Sequence, residues 1–294
     1  MQGDRLKNYL HLHLIVFVWG FTAVIGKKIS LPAMPLVWYR MSIAVAIMFI
    51  YAFIVKTPLK VSGKTLFQFV IAGLIIALHW LTFYHAIKIS NISITLACLS
   101  TGAFFASLLE PLLYGRKIIL YEVFFGLLVI AGLCIIFNSH GSYMWGMLTA
   151  LLSALLSTIF AIINGKFAKE HNPVAISIYE LLGGIFFFSL YLLFTGQFNG
   201  SFFTISGSDW LWLFILASIC TAYAQIAAVK VMKTVTPYTM MLTINLEPVY
   251  GIILALWAFK DSEKMGWTFY LGAAIILSTV ILNGVLKNRT QNGN

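Results

Sequence analysis

Residues 66–87, LFQFVIAGLIIALHWLTFYHAI, and residues 91–113, NISITLACLSTGAFFASLLEPLL, are two long apolar stretches separated by a few residues. The first contains no Asp, Glu, Lys or Arg, and Glu110 is the single charged residue of the second. A helix needs about 20 mostly apolar residues to cross the ~30 Å hydrocarbon core of a bilayer. Each stretch therefore predicts one transmembrane helix.

The same pattern continues through the whole chain. Of the 294 residues, 61% are hydrophobic and 10% are charged, whereas a typical soluble domain has about 45–50% apolar and ~25% charged residues. A lipid-facing surface accommodates this excess of apolar residues. We predict an all-α polytopic membrane protein with ten transmembrane helices, at residues 10–28, 33–55, 66–87, 91–113, 119–138, 143–165, 174–195, 209–229, 237–259 and 266–286.

Charge, cysteines and the N-terminal region exclude several other classes of protein. The net charge of +10 comes from Lys and Arg in short loops, which argues against a nucleic-acid partner. Cys98, Cys134 and Cys220 all fall in apolar stretches, so no disulfide framework is expected. The apolar stretch that begins near Tyr9 is too long for a signal peptide, and we expect it to stay in place as the first span.

The distribution of Lys and Arg predicts the orientation of the chain in the membrane. Cytoplasmic loops carry an excess of these residues. With the N-terminus inside, most of those outside the spans fall on the cytoplasmic side, and the exceptions are Lys27, Lys28, Lys88, Lys260 and Lys264. We therefore predict that both termini are cytoplasmic.

The two halves of the chain repeat one order of breaks and spans. Gly26-Lys27 and Tyr39-Arg40 in the first half correspond to Gly165-Lys166 and Tyr179-Glu180, about 140 residues later. Two units of five helices, residues 1–139 and 140–294, account for this order. An odd number of helices forces the units into opposite orientations, and such inverted repeats are typical of transporters.

Several short motifs resemble the drug/metabolite transporter superfamily, and in particular the EamA-type permeases. None is specific alone, but their order and spacing cover nearly the whole chain. They are Val18-Trp19-Gly20-Phe21-Thr22-Ala23, Pro35 with Arg40 and Met41-Ser42-Ile43-Ala44, Leu112-Leu113-Tyr114-Gly115-Arg116-Lys117, Glu247-Pro248 with Gly251, and Phe259-Lys260-Asp261-Ser262-Glu263.

The resemblance implies two five-helix repeats and an exporter or exchanger of small organic solutes in a bacterial cytoplasmic (inner) membrane. Amino acids and related metabolites are the typical substrates of such proteins. The sequence departs from the family pattern at two positions. Arg116 replaces the usual acidic residue, and Ala103 lies near the place of a usual proline, whose counterpart in the second half is Pro248.

Ionisable side chains at membrane depth cost about 2.5–3.5 kcal/mol, and each one is therefore a candidate functional residue. Arg40 could bind a substrate carboxylate through two hydrogen bonds, or it could serve as a structural anchor. Glu180, its counterpart in the second half, could act similarly or pair with Lys166 or Lys169. These alternatives stay open at the level of sequence.

Glu247 and His79 are the candidates for proton coupling. Glu247 lies near the middle of a predicted span beside Pro248, which interrupts the helix, and irregular backbone at that depth is typical of a cavity wall. His79 lies at mid-span, where its imidazole could sense protons or simply fill a packed interface.

Other polar and aromatic residues at mid-depth complete the predicted site. Trp80 and Tyr84 lie beside His79 or one turn from it, and Trp19 lies at mid-span rather than at an interface. We predict that the substrate-binding residues are His79, Trp80, Tyr84, Glu247, Asn245, Arg40, Trp19 and Gln225.

Absent motifs narrow the function further. The sequence has no Walker A motif, no cluster with the spacing of metal ligands, no paired Asp-rich motif and no channel filter motif. We therefore expect a secondary transporter of small metabolites, without cofactor or metal, that works by alternating access. A membrane scaffold or subunit is the alternative, an integral membrane enzyme is less favoured, and the oligomeric state stays open, with a monomer possible.

Overall fold

The computed structural model describes residues 2–115, 120–139 and 141–292. Within these residues the regular structure is helical throughout. The α-helices are α1 (Gln2–Lys28), α2 (Ala33–Ile54), α3 (Gly63–Ile89), α4 (Ile92–Leu99), α5 (Gly102–Tyr114), α6 (Leu120–Ser139), α7 (Met144–Glu170), α8 (Pro173–Phe194), α9 (Gly200–Phe203), α10 (Gly207–Ala217), α11 (Ala224–Val231), α12 (Pro237–Ile244), α13 (Glu247–Phe259) and α14 (Trp267–Asn292).

Many of these helices are long and apolar enough to cross a membrane. Among the described residues, 7 helical segments meet both conditions, and α6 and α14 contain shorter apolar stretches, Phe124–Phe137 and Trp267–Thr279. The outer surface is correspondingly apolar, with Phe53, Phe194 and Trp257 at least 80% exposed. The protein is therefore a multi-pass helical membrane protein.

Polar side chains mark the starts of several helices. Ser62 accepts a hydrogen bond from the backbone N–H of Thr65 at the start of α3, and Asn91 accepts one from Ile94 at the start of α4. Asn172 does the same before α8, where Pro173 occupies the first turn. These contacts satisfy backbone donors that the first turn of a helix leaves free. The sequence therefore specifies where these three helices begin.

Two predicted spans are each divided by a short turn. The span 91–113 consists of α4 and α5, and the span 237–259 consists of α12 and α13. A third span is continuous but contains a π-helical turn, Ser218–Tyr223, between α10 and α11. Such π turns occur mostly as single insertions in α-helices, often at functional sites.

The two halves of the chain pack against each other along their whole length. α3 packs against α7 and α8, α1 against α13, α2 against α8 and the π turn, and α6 against α14. At the crossing of α6 and α14, a Cβ on Gly132 would lie 2.9 Å from the Gly272 carbonyl oxygen, and a Cβ on Gly272 would lie 2.7 Å from that of Gly132. Such close backbone contacts are typical of membrane helix pairs.

Candidate functional site

A cavity of about 80 Å³ lies where the two halves meet. Helices α1, α2, α3 and α4 of the first half contribute to its wall, and α7, α11, α12 and α13 of the second half complete it. Much of the wall is apolar, and it includes three methionines, Met232, Met240 and Met241. Unbranched methionine side chains adapt their shape readily to different ligands.

Most of the predicted site residues lie at this cavity. Six of them line it: Trp19, Arg40, His79, Trp80, Gln225 and Glu247. Tyr84 and Asn245 are not part of the wall. Tyr84 instead contacts Arg40, and Asn245 lies at the turn between α12 and α13.

Arg40 is buried in α2 and held from several directions. Its Nη1 donates to the Tyr84 hydroxyl at 2.8 Å, and its Nε donates to the Thr221 hydroxyl at 2.7 Å. Its guanidinium also lies 4.0 Å from the centre of the Trp80 ring, a distance suited to a cation–π contact. Because these contacts use only part of the five N–H donors, the guanidinium is positioned and keeps capacity for a ligand.

The π turn supplies part of this arrangement. It places Thr221 so that its hydroxyl accepts from Arg40 and donates to the Leu216 carbonyl at 2.8 Å. It also brings the Cys220 carbonyl to 3.5 Å from Arg40 Nη2. Thr221 and Cys220 could not be predicted as site residues, since nothing in the sequence of this apolar stretch indicates an extra residue in the helical turn.

Glu247 is the second buried charged residue at the cavity. Its side chain is 7% exposed and lies in the first turn of α13, where the positive end of the helix dipole favours an anion. Among the described residues, neither a hydrogen bond nor an ion pair engages its carboxylate. Arg40 likewise forms no ion pair with any carboxylate of the described chain. The cavity is therefore lined by one basic and one acidic side chain that do not form an ion pair with each other.

His79 connects two helices across the halves. Its Nδ1 lies 2.9 Å from the Ser153 carbonyl oxygen, and the Ser153 hydroxyl donates to the His79 carbonyl at 3.0 Å. A carbonyl only accepts, so this contact places the proton on Nδ1. His79 thus joins α3 to α7 while its ring forms part of the cavity wall.

Two predicted polar residues have unused hydrogen-bonding groups. The side-chain N–H₂ groups of Gln225 and Asn245 are buried, and no acceptor among the described residues meets hydrogen-bonding geometry with them. Such groups are costly when nothing satisfies them. At Gln225, which lines the cavity, a solute or water could satisfy the free donors.

Glu180 lies outside the cavity, at the contact between α8 and α3. Its Oε1 accepts a hydrogen bond from Asn164 Nδ2 at 2.8 Å, rather than pairing with Lys166 or Lys169. A Cβ on Gly73 of α3 would approach the Glu180 carbonyl to 1.9 Å. Glu180 therefore belongs to the tight helix packing between the two halves.

The comparison with known proteins places this geometry in a family. The model of the EamA-like transporter family matches residues 6–138 and again residues 144–285. The chain belongs to this family. It is thus a membrane transporter of the drug/metabolite transporter superfamily, built from two EamA repeats.

Solved structures agree with the fold of this EamA protein. A crystal structure of another protein aligns with 96% of this chain and 98% of its own chain, at a TM-score of 0.71 and 16% identity. At this identity the likeness concerns the fold alone. No curated protein matches the sequence.

Of the two positions that depart from the family pattern, the structure describes one. Arg116 lies outside the described residues. Ala103 lies in the first turn of α5, where its counterpart in α13 is Pro248. A proline in the first turn removes no helical hydrogen bond, so a helix can begin at either residue.

Proposed function

We propose that the protein is a secondary transporter that exports or exchanges small zwitterionic metabolites, such as amino acids, by alternating access. The observation that carries the proposal is the pair Arg40 and Glu247, both buried, both facing one cavity and not paired with each other. A zwitterion offers a carboxylate for Arg40 and an ammonium group for Glu247. An uncharged solute would leave both charges uncompensated.

Contacts at the two ends of the helices support an inverted arrangement of ten spans. Lys27 lies 4.6 Å from the ring centre of Phe259, and Lys166 lies 4.8 Å from that of Tyr114. In each case a lysine at the end of the first helix of one repeat covers an aromatic ring that ends the fourth span of the other. Units related in this way can exchange two equivalent states, each open to one side.

Polar contacts hold both ends of the helices. At the end of α1 that carries Lys27, the Glu263 carboxylate is fully buried and accepts hydrogen bonds from Lys27 Nζ at 2.6 Å and from the backbone of Ile92 and Ser93. At the other end, Lys166 donates to the Leu113 carbonyl. With both termini in the cytoplasm of an inner-membrane protein, the end that carries Lys27 is the outer one.

Proton coupling is proposed for Glu247, with His79 as the second candidate. An acid that faces a substrate cavity can take up a proton or bind the substrate ammonium group. Because one displaces the other, the movement of protons and the movement of substrate become coupled. His79 uses one ring nitrogen to join α3 and α7, so Glu247 is the freer of the two. The bilayer and the solute are then the partners of the protein, without a resident cofactor.

The test uses purified protein in vesicles loaded with a mixture of labelled amino acids and small metabolites. We expect selective movement of zwitterions, reduced at least about tenfold by Glu247→Gln, since a hydrogen bond to a charged group contributes about 1.5–3 kcal/mol. The exposed Glu170 supplies the control Glu170→Gln, which should transport normally.

Two results would contradict the proposal. Inserted protein that moves no solute of the mixture would favour a scaffold role. Transport restricted to uncharged or anionic solutes, unaffected by Glu247→Gln, would confirm a transporter but reject the zwitterion.

A further inference from the structure

A second cavity lies on the side of the protein, away from the site between the halves. It has a volume of about 300 Å³ and is formed by α1, α2, the π turn and α11. Its deep wall is apolar, with Ile47, Met48 and Ile226 among its residues. Tyr51 and Tyr223 are 46% and 43% exposed, so the cavity is a groove that opens toward the surrounding membrane.

One end of this groove carries its positive charge. Lys230 lies in the last turn of α11, and its ammonium group has no ion-pair partner in the described chain. His11 and Tyr223 share a hydrogen bond of 2.8 Å beside it. This end of the groove therefore offers a cation, an imidazole and phenol hydroxyls above an apolar channel.

We infer that this groove binds one anionic phospholipid, with its phosphate at Lys230 and His11 and an acyl chain along Ile47, Met48 and Ile226. Charge complementarity selects this occupant, because basic grooves between membrane helices bind anionic headgroups. From Lys230 to Ser218 the groove follows the helix for roughly 18 Å at 1.5 Å per residue, a length suited to an acyl chain.

A second lateral groove shows why the charge matters. It measures about 390 Å³, lies along α1, α10 and α13, and includes Lys28. There the lysine covers the ring of Trp212, with Nζ 4.6 Å from its centre, and its other lining residues lack the hydroxyl and imidazole groups found beside Lys230. That groove suits any acyl chain, whereas the groove at Lys230 suits a headgroup with a negative charge.

The occupied groove also touches the structure that positions Arg40. Tyr223 ends the π turn, and two residues earlier Thr221 accepts a hydrogen bond from Arg40 inside the protein. A lipid against the outer face of the π turn stabilises the same turn that holds Arg40 on its inner face.

The test is binding of phosphatidylglycerol, compared with phosphatidylcholine, to the full-length protein in neutral detergent by native mass spectrometry. We expect preferential retention of phosphatidylglycerol, weakened about fivefold by Lys230→Gln, since one lysine near a membrane surface contributes about 1 kcal/mol. The control is Lys233→Gln, an exposed lysine three residues along the chain that does not line the groove. It should change retention less than twofold.

The position of the lipid is tested with phosphatidylglycerol that carries a photoreactive group in its acyl chain. We expect labelled peptides from residues 47–51 and 218–226. Equal retention of the two lipids, equal effects of Lys230→Gln and Lys233→Gln, labelling confined to other helices, or displacement by glycerol phosphate alone would each overturn the inference. None of these measurements depends on transport.

Discussion

The two broken helices of the protein are alike in backbone and different in chemistry. The first is α4 with α5, and the second is α12 with α13. Each has a part of 8 residues followed by a part of 13 residues. At the breaks, the backbone N–H of Thr101 bonds the carbonyl of Cys98, and that of Leu246 bonds the carbonyl of Thr243. The repeats therefore share one interruption at the same place.

The polar side chains at the two breaks differ in how many of their hydrogen-bonding groups have partners among the described residues. In the first broken helix, Ser100 and Thr101 donate to carbonyls of their own helix at 3.2 and 2.8 Å. In the second, the side-chain N–H₂ of Asn245 has no acceptor among the described residues, and the carboxylate of Glu247 faces the cavity. Unsatisfied buried groups persist mainly where they serve a function. We therefore propose that the second broken helix binds the solute and that the first supports the fold.

The largest effect is expected from removing the charge in the second broken helix. Glu247→Gln keeps the side-chain size but eliminates a titrating group, so we expect a loss of transport of at least about tenfold and of any dependence on pH between about 5 and 8. Transport assays across that range test this. Ser100→Ala, the equivalent position to Asn245, should retain both rate and pH profile. If the transport rate of the wild type did not change over this pH range, coupling through Glu247 would be rejected.

A smaller effect is expected at the start of the first broken helix. Glu263 caps Ile92 and Ser93 and pairs with Lys27. Glu263→Gln should lower the free energy of unfolding by about 1–3 kcal/mol, because the backbone N–H groups of Ile92 and Ser93 lose a charged acceptor and Lys27 loses its ion-pair partner. Thermal unfolding in detergent measures the change.

The control for this prediction is Asp261→Asn. Asp261 pairs with Lys264 at the exposed surface, where water screens the pair, so its replacement should leave the melting temperature unchanged. Equal melting temperatures for Glu263→Gln and the wild type would show that the buried cap is dispensable.

The two broken helices also contact each other through glycine, with unequal tolerance. A Cβ on Gly251 would lie 2.4 Å from Leu96 Cδ1, and a Cβ on Gly102 would lie 2.5 Å from Met241 Cε. Leu96 is branched and Met241 is unbranched, so we expect Gly251→Ala to cost about 1–3 kcal/mol and Gly102→Ala to cost less than about 1 kcal/mol. Unfolding experiments measure the free energy of unfolding of both variants. A greater loss of stability for Gly102→Ala would contradict the prediction.

The smallest effect is expected from Pro248→Ala. The proline occupies the first turn of α13, where its missing N–H has no helical partner in any case. Replacement should change the free energy of unfolding by less than about 1 kcal/mol and leave transport intact. A large loss of transport would mean that the proline itself shapes the cavity.

Local chemistry explains what could be predicted of the fold. The length and hydropathy of an apolar stretch do not depend on what packs against it. The multi-pass helical membrane protein and its EamA family could therefore be predicted from the sequence. Arg40 and Glu247 could be proposed as site residues for the same reason, because an ionisable group in an apolar stretch is costly wherever it lies. The ten-span count stays a prediction, since 7 segments of the described chain meet the criteria of length and hydropathy.

The sequence by itself determined the helices, the repeats and the small set of buried ionisable residues. Only the tertiary structure decided which of them meet. It placed Arg40 against the π turn, Glu180 against Asn164, and Glu247 at the cavity, where no other described residue forms a hydrogen bond or ion pair with it. The reason is physical: hydropathy belongs to a stretch of chain, whereas hydrogen-bond satisfaction depends on side chains that arrive from distant stretches.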